Sequence, residues 1–171
     1  MKSLFELAVG SFLVYPKGND EATQRARQFI RLRIKMGRHD AVVNAVSRLA
    51  SQVAEGPLAG FFPTDAVLVP IPGHTPRVKD GLWVADAICQ EMVRSSLGSG
   101  VWPCLERIRT VPRSSHFVRA EDRASLRDHE KSLDFRDLLL PSNEIILIDD
   151  VVTRGTTLMA GGHLISERYP P

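Results

Sequence analysis

An α/β fold built on a parallel sheet flanked by helices is predicted for this 171-residue chain by three observations. Short apolar runs rich in β-branched residues, Ala66–Ile71 and Glu144–Val152, stand between stretches whose apolar residues recur at helical spacing. The first run leads into Pro72-Gly73 and the second carries Asp149-Asp150 just after Ile148, residues unsuited to a strand interior, as expected where parallel strands end and ligands collect. The composition, 43% hydrophobic and 25% charged with a mean hydropathy of -0.09, is that of a chain able to bury a core. Its length suits one core, which we divide into an N-terminal helical region, 1–60, packed on a core of 61–171.

The elements follow in order. Leu4–Tyr15 is apolar but is broken by Glu6 and Gly10 and ends in the turn Pro16-Lys17-Gly18-Asn19. It is too short to span a bilayer and has no cleavage site, so no membrane role and a cytoplasmic location are expected. Asn19 or Asp20 caps a helix over Glu21–Met36 that stops at Gly37. Its arginines, Arg25, Arg27, Arg31 and Arg33, point to several faces, the pattern of a solvated helix more than of an anion platform. Val42, Val43, Val46, Leu49, Ala50 and Val53 mark a second helix, terminated by Gly56 and Pro57.

Ala66–Ile71 reads as a buried strand between Pro63-Thr64-Asp65 and Pro72-Gly73. A helix follows from about Leu82, with Trp83, Val84, Ala87, Ile88 and Met92 on one face. After the loop Ser95–Gly100, a short strand is expected within Val101–Ile108 despite Pro103. Residues 109–123 lack periodicity and read as a flexible loop, with a helix resuming near Glu121–Leu133. Glu144–Val152 is the clearest strand, and Thr157–Glu167 after it is helical.

Charge excludes little. Lys plus Arg is 22 against 20 for Asp plus Glu, a net +2, so no overall basic field points to nucleic acid. Cys89 and Cys104 lack the spacing of a zinc site or disulfide framework and are expected as reduced thiols. Ser114-Ser115-His116 suggests a nucleophile and base, but adjacent residues rarely face each other and no acid is placed to orient the histidine, so a hydrolase is discounted.

The segment Ile145–Thr157 carries the functional argument. An apolar strand delivers the chain to the sheet edge, where Asp149 and Asp150 can accept hydrogen bonds from a vicinal diol. Thr153, Arg154, Gly155, Thr156 and Thr157 then combine hydroxyls with a glycine that lets backbone amides approach a ligand, at a helix start whose dipole favours phosphate. Diol and phosphate together describe a ribose 5-phosphate.

This order of apolar residues, paired acids and Thr/Gly-rich loop resembles the signature of the type I phosphoribosyltransferases. Val67–Arg77 and Arg107–Leu133 resemble the matching stretches of the ComF-like (competence protein F) branch, which is related to amidophosphoribosyltransferases. The resemblance spans Ala66 to Ile165 and implies a ligand, 5-phosphoribosyl 1-pyrophosphate, bound with Mg2+. It implies that Asp149 and Asp150 hold the ribose hydroxyls, directly or through the metal, and that Thr153–Thr157 hold the 5-phosphate. The loop Ile71, Pro72, Gly73 and His74 would take pyrophosphate through its amides, with Arg77 as a side-chain contact. Arg109 and Arg113, with Arg119 and Arg123, would lie on a loop that closes over the site.

The implied reaction moves the phosphoribosyl group to a nitrogen nucleophile and releases pyrophosphate. The acceptor is not legible, and a homodimer is an assembly open to the chain. The alternative is a non-catalytic donor sensor or ComF-like DNA-uptake accessory. Against nucleic acid, Glu121, Asp122, Asp128 and Glu130 interrupt the basic residues of Arg107–Lys131, which have no aromatic interleaving. The chain departs from the branch in lacking a cysteine-rich zinc module, in having Gly81-Leu82-Trp83-Val84 where Gly-Phe-Asn-Gln is usual, and in stopping at Tyr169-Pro170-Pro171, before a further strand. A missing sheet edge is therefore expected.

Overall fold

The computed structural model describes Ala8, Ser11 and residues 18–56, 58–112, 124–136, 144–152 and 154–169. It is an α/β arrangement around a three-stranded parallel sheet of order β2-β1-β5, where β1 is Val67–Pro70, β2 is Gly100–Val101 and β5 is Ile145–Ile148. Every residue of β1 is buried, as its unbroken apolar run requires of a central strand covered on both faces.

The N-terminal helices form for local reasons. Helix α1, Glu21–Phe29, is capped by the Asp20 carboxylate, which accepts from the Thr23 amide at 2.9 Å. It passes into a π-helical turn, Ile30–Ile34, and the chain then reverses at Gly37, whose φ of 58° is the left-handed value glycine tolerates. Helix α2, His39–Glu55, buries Ala41, Val42, Val46 and Leu49 on one stripe.

Alternation along β1 divides the core. Leu68 meets Val42, Val46 and Leu49 of α2, together with Cys89 and Met92 of helix α3 (Val84–Arg94) and Ile146. Val67 and Val69 face the other way, onto Trp102, Leu105, Phe135, and Leu158 and Ile165 of helix α5 (Thr156–Arg168). Trp102, Phe135 and Tyr169 pack with ring centroids 5.5 to 5.9 Å apart.

Three expectations are corrected. Helix α3 buries Ala85, Cys89 and Met92, with Ile88 packed beside them. Of the expected face of Trp83, Val84, Ala87, Ile88 and Met92, the last two lie in the core, while the first turn is rotated because Trp83 stands at the N-cap and its ring reaches the Ile71 carbonyl. The strand expected within Val101–Ile108 splits at Pro103, which cannot donate to a ladder, into β2 and β3 (Leu105–Arg107). The helix expected near Glu121–Leu133 is, among the described residues, α4 (Leu126–Glu130), set by a capping box between Ser125 and Asp128. Leu133–Phe135 is instead strand β4, whose buried, exposed, buried pattern matches its antiparallel pairing with β3.

Among the described residues β5 pairs with β1 alone. No helix among them is long and apolar enough to cross a membrane.

Candidate functional site

Parallel pairing sets the two expected ligand loops side by side. Val67 is in register with Ile145 and Pro70 with Ile148, and the Ile71 amide donates to the Ile148 carbonyl at 2.8 Å. Ile71–His74 therefore leaves the sheet next to Asp149 and Asp150.

The first loop turns its carbonyls into the protein. Trp83 Nε1 donates to the Ile71 carbonyl at 3.0 Å. Arg107, only 3% exposed, donates through Nε to the Gly73 carbonyl at 2.8 Å and through Nη2 to the Pro72 carbonyl at 3.5 Å. The Val111 amide donates to the His74 carbonyl at 2.8 Å. A Cβ added to Gly73 would meet nothing within 4 Å, so open space lies over the glycine. Arg77, expected as a side-chain contact beside this loop, lies over Trp83, the residue that bonds the Ile71 carbonyl. Its guanidinium sits 5.2 Å from the centroid of Trp83, stacked on the indole and exposed.

The second loop begins with the half-buried acids. Asp149 Oδ1 accepts from the Asp150 amide at 2.8 Å. Burial, and then the neighbouring charge of Asp150, push the Asp149 carboxyl up to about 7, opposed by the amides of Asp150 and Val151. Thr153 lies outside the described residues, and Arg154 is exposed. Gly155 stands at the N-cap of α5 with φ 69° and with open space at its Cβ position, so the backbone there is both left-handed and approachable. Thr156 and Thr157 form the first turn of α5.

Beneath both loops runs a polar chain that the motifs did not announce. Arg107 Nη1 donates to Ser132 Oγ, and that hydroxyl donates to the His129 carbonyl at 2.7 Å. His129 Nδ1 lies 3.3 Å from Thr157 Oγ1, so the Thr157 hydroxyl faces α4. Burial lowers the Arg107 pKa to about 10, against the pull of the Asp149 charge, which leaves the guanidinium charged at neutral pH. Burial, and then the charge of Arg107, lower that of His129 and favour the neutral imidazole. The sequence did hold one signal. Arg107 follows Leu105 at strand spacing, which places a charge on the buried face of β3.

Arg109 is exposed, Arg113 lies outside the described residues, and Val111 between them is buried. On the α2 side of β5 is a cavity of about 490 Å³, with an apolar wall that includes Val42, Val46, Phe61, Phe62 and Ile146, and with Asp149 and Asp150 in its lining. Cys89 and Cys104 are buried free thiols whose pKa values burial raises, to about 12 for Cys104.

Among the described residues no group of His, Cys, Asp and Glu side chains is arranged to cage a metal. The paired carboxylates do fit Mg2+, which takes one or two such oxygens and completes its shell with water and substrate phosphates. What the fold and site define is an α/β protein with adjacent glycine-containing loops and a diacid at the carboxyl ends of parallel strands. No family model matches the chain, and no curated protein or solved structure matches it.

Proposed function

We propose that this chain is a phosphoribosyltransferase of the type I fold, binding 5-phosphoribosyl 1-pyrophosphate with Mg2+ and transferring its phosphoribosyl group to a nitrogen nucleophile. The observation that carries this reading is the adjacency of the Ile71–His74 loop and the Asp149–Thr157 segment, joined by the Ile71 to Ile148 hydrogen bond. One donor molecule has a pyrophosphate, a diol and a 5-phosphate, and these loops offer matching groups in neighbouring positions.

In this reading Asp149 and Asp150 accept from the ribose hydroxyls, and the amides at Gly155–Thr157 hold the 5-phosphate at the positive end of α5. The amides of Gly73, His74 and Thr75 hold pyrophosphate, since the Ile71 amide is used in the sheet and Pro72 has none. Mg2+ supplies charge neutralisation on the donor oxygens when bound. The bond from the anomeric carbon to the pyrophosphate oxygen breaks with its electron pair leaving on pyrophosphate, the nitrogen lone pair forms the new bond, and the proton the nitrogen loses passes to the released pyrophosphate or to water. The chain needs no nucleophile of its own, because positioning and electrostatic stabilisation of the oxocarbenium-like state lower the barrier.

The test is calorimetric titration of the donor with Mg2+ into the wild type, Asp150→Asn and Thr156→Val. Binding by the wild type that weakens about tenfold or more in Asp150→Asn is expected from losing a charge-assisted contact. A wild type that does not bind, or variants that bind equally well, would sink the reading.

A further inference from the structure

We infer that Arg107 is the positioning residue of the Ile71–His74 loop, fixing the loop so that its amides face the ligand; this rests on the function proposed above.

A trans peptide holds its C=O and the following N–H on opposite sides. Among the described residues no peptide bond is cis. Arg107 draws the Pro72 and Gly73 carbonyls inward, and Val111 draws that of His74. The amide protons of Gly73, His74 and Thr75 are thereby directed away from Arg107 and Val111. Pro72 and Pro76, which flank this stretch, have no amide proton to contribute. Successive amides pointing one way form an anion-binding concavity. Gly73 keeps its approach open.

Arg107 suits the task better than a lysine. Its planar fork reaches the Gly73 carbonyl, the Pro72 carbonyl and the Ser132 hydroxyl at once from a buried position, which a single ammonium at the end of a flexible stem cannot reproduce. Ser132 in turn is held by the His129 carbonyl, so the guanidinium has a fixed support on its far side. The same charge acts on Asp149. Loop geometry and diacid electrostatics thus share one buried group.

The experiment titrates two probes separately into the full chain: inorganic pyrophosphate with Mg2+, and ribose 5-phosphate. The variants are Arg107→Lys, which keeps the charge beside Asp149 but loses the fork, and Ser132→Ala, a small change that removes the support. Arg107→Lys is expected to weaken pyrophosphate about tenfold and Ser132→Ala about threefold, both leaving ribose 5-phosphate within about twofold of wild type.

A purely structural role would weaken both probes together, and that result overturns the inference. So does unchanged pyrophosphate affinity in the variants. If Arg107→Lys fails to fold, Ser132→Ala decides by the same criteria. Wild type that binds ribose 5-phosphate but not pyrophosphate overturns this inference alone, whereas wild type that binds neither overturns the proposed function as well.

Discussion

Thr157 Oγ1, in the first turn of α5, lies 3.3 Å from Nδ1 of the buried His129 on α4. A neutral imidazole can accept the threonine proton there, and a protonated one cannot. The start of α5 is therefore coupled to the ionisation of a residue on another element. The charged groups acting on His129 are Arg107, which disfavours its protonation, and Asp128, which favours it.

The first prediction concerns acid. His129 has a folded pKa below its ordinary 6.5, so below that pH the unfolded chain binds more protons than the folded one. The His129 contribution is complete above 6.5 and is lost as pH falls from there through the folded pKa. Thermal melts of wild type and His129→Gln between pH 7.5 and 5 should show a smaller loss in the variant. Parallel pH profiles would remove His129 as the cause.

Asp149 gives the opposite sign. Its folded pKa of about 7 exceeds the ordinary 3.8, so between those values the folded chain binds the extra proton and stability declines as pH rises. Asp149→Asn removes the cost of burying this carboxylate beside Asp150. The variant should be more stable than wild type at pH 8, by about 1–3 kcal/mol for a half-buried group, and nearly equal to it at pH 4. Denaturant melts at the two pH values check this. An Asn variant that is less stable at pH 8 would show that the charged form is stabilised in the native protein.

Two glycines should respond differently to alanine. A Cβ at Gly161 would stand 2.9 Å from Leu105 Cδ1 and 3.0 Å from Ile71 Cδ1, so Gly161→Ala overpacks the seam between α5 and the first ligand loop. Both atoms are side-chain ends that can give way, and alanine gains about 0.5–1 kcal/mol over glycine within a helix, so a net loss of about 1 kcal/mol is expected. A Cβ at Gly73 meets nothing, so Gly73→Ala should melt within about 0.5 kcal/mol of wild type. Its effect should appear instead as weakened pyrophosphate binding, because the methyl occupies space the ligand needs. Equal melting temperatures for the two variants would contradict the packing described here.

Legibility followed locality. The Asp20 cap, the stripe on α2, strand β1, strand β5 and helix α5 depend on neighbours within a turn or on an unbroken apolar run, and all were readable. The rotation of the first turn of α3 was not, because Trp83 is drawn off by the Ile71 carbonyl, twelve residues away in sequence. Nor was β4, a short strand that exists through pairing with β3. In the site, the diacid and Gly155 were legible as a pattern. Arg107 was not singled out, because its partners at Gly73 and Ser132 are distant in the chain and only the fold brings them together.

The chain has two tryptophans, in very different settings. Trp102 is buried against Phe135 and Tyr169, whereas Trp83 is half-buried with its indole N–H on the Ile71 carbonyl and Arg77 stacked on its ring. The molecule thus has two separate intrinsic fluorophores. The emission of Trp102 should follow unfolding, while that of Trp83 should shift with any occupant of the adjoining loop. Trp83→Phe would leave the core signal and extinguish the other, so loop occupancy can be watched in the folded protein without attaching a dye.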